Sequence, residues 1–158
     1  IHGSKPIHIQ QHQAWIEEQI KKQVRNGADA WQQKEELFAN LEFCASVAEQ
    51  LKQLHATDLN WNHVLKHLWE LQRYANQWKV GAFDPDAIQL NLSVESSATL
   101  SQYKAERTFL CPNGEVRLFS WHTKIKFSGW RIYFVPEPQN HQLIIGYIGK
   151  HLPTAKFK

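Results

Sequence analysis

Five residues near the end of the chain have side chains suited to phosphodiester chemistry, provided that they share one face of a sheet. Alternate side chains of a β-strand point to the same side. In residues 115–127, Phe119, Trp121, Ile125 and Phe127 therefore fall on one side, which we expect to be the core side. The opposite side carries His122, Lys124 and Lys126 beside Ser120. In residues 130–135 the same alternation leaves Arg131 and Tyr133 opposite the core.

The chemistry of these five residues is that of metal-free phosphoryl transfer. Lysine and arginine supply positive charge for phosphate oxygens, histidine exchanges a proton near neutral pH, and tyrosine can stack on a base. A metal-dependent nuclease needs clustered carboxylates instead. Residues 96–158 contain three acids, well separated in sequence: Glu106, Glu115 and Glu137. Two alternatives stay open, namely binding without catalysis and a merely solvated sheet face.

The charge distribution favours an anionic polymer as the partner of this segment. Residues 1–95 contain nine Lys/Arg and twelve Asp/Glu, a net charge of −3, whereas residues 96–158 contain nine Lys/Arg and three Asp/Glu, a net charge of +6. A basic segment next to an acidic one indicates two surfaces with different partners. We expect the basic residues outside the central face to bind the nucleic-acid backbone, in particular Arg107, Lys150 and Lys156, together with Lys126.

Residues 1–80 show helical periodicity. We expect a first helix over residues 7–26 that stops at Gly27, and a second over residues 29–55 that is capped by Asp29. A third helix follows the capping signal Thr57-Asp58 and closes at Gly81. These helices carry five tryptophans, Trp15, Trp31, Trp61, Trp69 and Trp78. We interpret them mainly as core residues, with a partner-docking surface as the alternative.

Residues 87–158 show strand periodicity. Ile88, Leu90, Leu92 and Val94 alternate with polar residues, and Asn113-Gly114 predicts a hairpin turn between residues 107–110 and 115–127. Ser128-Gly129 and residues 136–142 predict two further turns, which bound strands at 130–135 and 143–148. The expected fold class is α+β: N-terminal helices packed on a C-terminal antiparallel meander of four to five strands, as one compact unit.

Three segments of the strand region resemble the RelE/HigB/ParE toxin superfamily. They are HTKIK at residues 122–126, GWRIYF at 129–134, and IIGYIGKHL at 144–152. In this superfamily a basic strand precedes a strand of the type G-x-R-I-x-[FY], and an apolar last strand leads into a tail that bears Lys or His. The resemblance covers about the last fifty residues.

The resemblance implies an mRNA endonuclease, free or ribosome-associated, that uses no metal and no cofactor. By position, His122 and Lys124 match the basic strand, Arg131 the strand arginine, and His151 the C-terminal acid/base residue, while Tyr133 matches a stacking aromatic residue. The implied partners are RNA and an antitoxin or fused protein, in the cytoplasm. The alternative is a non-catalytic module of a larger protein that binds nucleic acid or protein.

Other motifs give no competing function. His63, His67 and Glu70 recur at i, i+4 and i+7, but they lack a fourth metal ligand, and we expect a solvated helix face. Seven glycines form no nucleotide-binding loop. Cys44 and Cys111 are far apart in sequence, which favours neither a disulfide framework nor a zinc site. The chain has no methionine, so we expect that upstream residues were removed, and no apolar stretch approaches membrane-spanning length.

Overall fold

The computed structural model describes residue 19 and residues 22–155, and it has the expected α+β class. The described helices are α1 (Gly27–Leu37), α2 (Ser46–Lys52), α3 (Leu59–Gln77) and α4 (Ser97–Gln102). The strands are β1 (Leu41–Phe43), β2 (Leu92–Val94), β3 (Thr108–Leu110), β4 (Val116–Leu118), β5 (Trp121–Lys124), β6 (Arg131–Glu137) and β7 (Gln142–Gly149). Of the predicted first helix, residues 7–26, the structure describes only residue 19 and residues 22–26, and Trp15 lies outside the described residues.

Five strands form one sheet in the order β1-β7-β6-β5-β2, and β3 pairs with β4 in a separate hairpin. The meander β5-β6-β7 is antiparallel, as predicted, and Gly129 closes its first turn with a φ of 78°. The strand predicted over residues 115–127 is instead divided, since β4 belongs to the hairpin and β5 to the main sheet. Gly114, in the predicted Asn-Gly turn, has a φ of 89°.

The second predicted helix, residues 29–55, is interrupted: α1 and α2 are helical as expected, but residues 41–43 between them form a parallel edge strand on β7. The break is made by α3: Gln72 Oε1 accepts from the backbone N–H of Asn40 at 2.8 Å, and Gln72 Nε2 donates to Asn40 Oδ1 at 2.9 Å. Pairing with β7 satisfies backbone groups that a helix would have bonded locally. The sheet therefore draws on residues of both predicted regions, 1–80 and 87–158.

Gly27 begins a helix and does not end one. It is the first residue of α1, whose N-cap Asn26 accepts a hydrogen bond from the backbone N–H of Asp29, so the predicted Asp29 cap is displaced by three residues. A Cβ on Gly27 would lie 1.7 Å from the carbonyl oxygen of Leu51 at the end of α2. Glycine is required here because the two backbones touch.

Helix α3 follows its predicted pattern most closely. Asp58 caps it, as expected, by accepting from the N–H of Asn60 at 2.8 Å. The stripe of Trp61, Val64, Leu65, Leu68 and Leu71 is buried. The helix ends at Gln77, ahead of the predicted Gly81, and Trp78 is its C-cap. Burial of this stripe against the sheet is the main stabilising term for such a helix.

Different elements pack on the two faces of the main sheet. α3 lies on the face that carries Thr123, where His67 Nδ1 is 3.0 Å from Thr123 Oγ1. The β3–β4 hairpin lies on the opposite face: a Cβ on Gly146 would come within 2.8–2.9 Å of the rings of Phe119 and Phe109. Phe119 is therefore buried, as expected, but against the face opposite α3. The hairpin therefore partly covers the sheet face that carries the predicted functional residues.

The four described tryptophans of the helical region pack in or against the core. Trp61 and Trp78 are buried, and Trp31 and Trp69 are partly buried against the core. Phe127 was predicted to lie in the core, but its side chain is 53% exposed. Among the described helices, none is both long and apolar enough to cross a bilayer.

Candidate functional site

The predicted face exists, because the register of β5 on β6 places its residues side by side. His122 pairs with Tyr133 and Lys124 with Arg131, and Arg131 also pairs with Gly149 at the end of β7. Directly paired side chains on one face of an antiparallel pair are about 5 Å apart at Cβ. The ring centroids of His122 and Tyr133 are 5.0 Å apart.

Glu95 completes the cluster, and no sequence pattern singled it out. It follows β2, which pairs with β5, and its backbone N–H donates to the carbonyl of Ser120 at 2.9 Å. This connection brings the carboxylate over the polar face. His122 Nδ1 lies 3.0 Å from Glu95 Oε1, an ion-pair distance, although the ring is not oriented for a regular hydrogen bond. Buried carboxylates are rare unless paired, and this signal becomes visible only once the fold is known.

Arg107 is the second partner of Glu95. Its Nε donates to Glu95 Oε2 at 2.8 Å, its Nη2 lies 2.7 Å from the same oxygen, and its Nη2 donates to the Tyr133 hydroxyl at 3.4 Å. The side chain is fully buried. Arg107, which the sequence predicts to bind nucleic acid, is therefore not at the surface, because the β3–β4 hairpin and its preceding turn carry it into the interior.

One donor of Arg107 has no partner. Within the part of the chain that the structure describes, the buried Nη1 makes no hydrogen bond. A guanidinium group is always charged, and an unsatisfied buried donor is costly. An anionic oxygen in the cluster would satisfy this donor.

The cluster sets the protonation state of its carboxylate. Burial raises the pKa of Glu95, but the His122 ring and the Arg107 charge outweigh burial, and the net effect is a pKa below the usual range. Glu95 is therefore ionised at neutral pH. Its Oε1, 3.0 Å from His122 Nδ1, can orient the His122 ring.

His151 joins the cluster from the end of β7. The pKa of His151 is lowered, first by burial and then by the charge of Arg131, with a smaller effect from Arg107. Glu95 acts in the opposite direction without reversing the shift. His151 is therefore largely neutral at neutral pH, which is the form that accepts a proton.

Tyr133 does not have the environment of a stacking residue. It is 1% exposed, and Arg107, His122 and Tyr147 surround its ring, with Tyr147 at 5.9 Å between centroids. The expectation that it stacks on a base is wrong, because no base could reach the ring. Burial and the Glu95 charge raise the pKa of its hydroxyl, so it stays a neutral hydrogen-bonding group.

The predicted residues thus separate into three sets. His122, Arg131, Tyr133 and His151 converge with Glu95 and Arg107; we call these six residues the polar cluster. Arg131 is 9% exposed, and burial lowers its pKa. Lys124 and Lys150 are exposed at the rim, and Lys126 is exposed on the turn after β5. Lys156 lies outside the described residues.

Two cysteines that the sequence separated are neighbours in the fold. Cys44 follows β1 and Cys111 follows β3, both are buried, and their side chains lie within hydrogen-bond reach. Burial, with a smaller effect of Cys111, raises the pKa of Cys44 to about 12. These thiols are poor nucleophiles. Among the described residues, no group of three or more His, Cys, Asp or Glu could hold a metal ion.

In comparisons with known proteins, no family model, curated protein or solved structure matches this chain. The polar cluster is therefore interpreted from its own geometry. It combines two histidines, two arginines and one ionised carboxylate at one end of three adjacent strands. Such a set can move protons and stabilise negative charge without a metal.

Proposed function

We propose that the chain is a metal-independent endoribonuclease that cleaves RNA through attack of a ribose 2′-hydroxyl on the adjacent phosphate. The observation that carries this proposal is that His122, paired with Glu95, and His151, two residues after the Gly149 that pairs with Arg131, lie at one end of the sheet. Two imidazoles in unlike electrostatic surroundings supply a base and an acid. The RelE-like segments of the sequence support the same reaction class.

His151 is the proposed general base. Its lowered pKa keeps the ring neutral near pH 7, so it can take the proton of the 2′-hydroxyl. The 2′-oxygen then forms a bond to phosphorus, and the bond from phosphorus to the 5′-oxygen breaks. His122, which faces the Glu95 carboxylate, is the proposed general acid and gives a proton to the departing 5′-oxygen. The products are a 2′,3′-cyclic phosphate and a 5′-hydroxyl.

Arg131 stabilises the charge of the transition state. It lies at the strand ends near His122 and His151. Donors that are already oriented where charge develops contribute more than the same groups in water. Arg107 is fully buried and acts through Glu95, because its contacts to that carboxylate hold the carboxylate beside His122. In this proposal Arg107 is a positioning residue and does not touch the RNA.

The cellular setting is part of the same proposal. An enzyme of this class would act on mRNA in the cytoplasm, free or on the ribosome, as a toxin or defence effector restrained by an antitoxin or a fused partner. The buried tryptophans of α1 and α3 do not supply a surface for that partner. The partner would have to cover another surface, such as the rim with Lys124 and Lys150.

The test is cleavage of labelled single-stranded mRNA in excess EDTA, with and without ribosomes. We expect products with 2′,3′-cyclic phosphate ends, and no cleavage at a site that carries 2′-deoxyribose. His151→Ala and His122→Gln should each lose activity by about 10²-fold or more. His55→Ala is the matched control, since His55 is an exposed histidine far from the cluster in sequence.

Three results would overturn the proposal. They are cleavage that both histidine variants retain, cleavage that EDTA abolishes, and RNA that stays intact under every condition. Intact RNA that is retarded in a gel would indicate a non-catalytic binding module. Thermal unfolding of each variant shows whether lost activity reflects chemistry or loss of the fold.

A further inference from the structure

An open groove of about 1120 Å³ runs between α3 and the strand-edge segments at residues 88–91 and 124–127. We call it the α3 groove; its lining includes His63, Lys66, Glu70, Lys124, Lys126 and Phe127. The polar cluster does not use it. Its lining is neither apolar enough for a core-like contact nor acidic enough for a cation.

The charge of the groove is positive. Lys66, Lys124 and Lys126 are exposed, and none of the three forms a salt bridge within residues 22–155. The carboxylate of Glu70 is already bound, since it accepts from Arg73 Nε at 2.7 Å and from the backbone N–H of Gln89 at 2.7 Å. Three unpaired lysines are therefore available to an anionic chain.

The groove also presents an aromatic surface. Phe127 is 53% exposed, and its ring centroid is 4.6 Å from that of His63, with the planes tilted by 38°. Lys126 precedes Phe127 in the turn. An exposed aromatic ring flanked by lysines is the arrangement by which proteins bind single-stranded nucleic acid, because bases stack on the ring while phosphates contact the ammonium groups.

The groove adjoins the polar cluster at Lys124. This residue pairs with Arg131 across β5 and β6, and it also lines the groove. Because the polar cluster lies on the sheet face opposite α3, an RNA strand that occupies both sites would pass around the end of β5 at Lys124.

We propose that the α3 groove binds the single-stranded RNA that flanks the scissile phosphate, with a base stacked on Phe127 and the backbone held by Lys66, Lys124 and Lys126. The inference rests on the proposed function, since it takes RNA as the ligand. It adds a binding subsite and the reason for preferring an unpaired substrate: a duplex cannot turn a base onto the Phe127 ring.

The test measures binding and not cleavage, with a fluorescently labelled 2′-fluoro RNA dodecamer that lacks the attacking hydroxyl. Phe127→Leu keeps an apolar side chain of similar size but removes the ring face, and we expect its Kd to rise roughly tenfold. Phe127→Trp, which keeps an aromatic ring, should have an affinity close to that of the wild type. Lys66→Ala with Lys126→Ala should lower the slope of log K against log salt by about 1.4, from two lost phosphate contacts. Lys52→Ala, an exposed lysine on α2, is the matched control and should change neither quantity.

The outcomes separate this inference from the proposed function. An unchanged Kd in Phe127→Leu, or a salt slope that the double lysine variant leaves intact, would overturn the groove assignment even if natural RNA is cleaved. Binding that depends on Phe127 without cleavage of natural RNA would leave the groove assignment in place and overturn the nuclease. Equal affinity for a duplex of the same sequence would contradict the stacking role.

Discussion

Arg107 and Glu95 form an ion pair inside the protein, with Nη2 2.7 Å from Oε2 and both side chains at most 5% exposed. Neither residue belongs to the strands that carry the predicted functional face. Glu95 directly follows β2, and Arg107 directly precedes β3, the first strand of the hairpin. The pair therefore ties the hairpin to the main sheet and also positions His122.

Loss of the arginine should destabilise the fold strongly. Arg107→Ala leaves the Glu95 carboxylate buried without its main counter-charge, which costs about 3–5 kcal/mol in comparable pairs. We expect a decrease of that size in the free energy of unfolding, measured by urea denaturation. Lys104→Ala, an exposed neighbour, should have almost no effect. The double variant Glu95→Leu/Arg107→Met should recover part of the lost free energy of unfolding. A decrease below about 1 kcal/mol in Arg107→Ala would contradict a stabilising role of the pair.

The pH dependence of cleavage should identify the base. Because the pKa of His151 lies below its ordinary value of 6.5, the ring stays neutral as the pH falls through 6.5. The acidic limb of kcat/KM should therefore lie below pH 6.5. In Arg131→Gln, loss of the nearby positive charge should move this limb to higher pH. An acidic limb at or above pH 6.5 in the wild type would contradict this assignment.

His67 should make the fold sensitive to mild acid. Burial, with smaller effects of His63 and Lys66, lowers its pKa from 6.5 to about 4, so the unfolded chain takes up a proton that the folded protein excludes. Stability is complete above pH 6.5 and falls as the pH drops from 6.5 toward 4. We expect a loss of about 1–2 kcal/mol by pH about 5, allowing for partial solvent exposure.

The variant His67→Asn tests this directly. Its side chain can still bond Thr123 but does not titrate, so the loss of stability between neutral pH and about pH 5 should shrink. His55→Asn, at an exposed site, is the control and should leave the pH dependence unchanged. Equal pH dependence in His67→Asn and the wild type would show that another group is responsible.

Gly27 should tolerate no side chain. A Cβ at position 27 would lie 1.7 Å from the carbonyl oxygen of Leu51. This oxygen is a backbone atom and cannot rotate away. Gly27→Ala should lower the free energy of unfolding by about 3 kcal/mol, although alanine favours helix formation. Gln32→Ala, exposed on the same helix, should be neutral or slightly stabilising. A neutral Gly27→Ala would mean that α1 and α2 do not touch as described.

The two thiols should be protected until the protein unfolds. Both are buried, and the pKa of Cys44 is raised to about 12, so little thiolate forms at pH about 8. Reaction with Ellman's reagent should be slow in the native state and fast after addition of urea. Rapid reaction of both thiols without denaturant would contradict their burial.

The sequence by itself determined the strands β5 to β7, their turns, and which side chains share a face. Alternation and turn chemistry are local, so His122, Arg131 and Tyr133 could be placed together from neighbouring residues alone. The start of α3 was predictable for the same reason, since Asp58 and the apolar stripe lie in one continuous segment.

Only the tertiary structure decided what covers that face and what completes it. Glu95 and Arg107 reach the cluster through long-range pairing, and Tyr133 is buried by the side chains that arrive with them. β1 is a strand because Gln72 and β7 offer its backbone better partners than a helix does. Whether a side chain is buried depends on which segments, distant in sequence, pack against it. A local sequence pattern does not determine that packing.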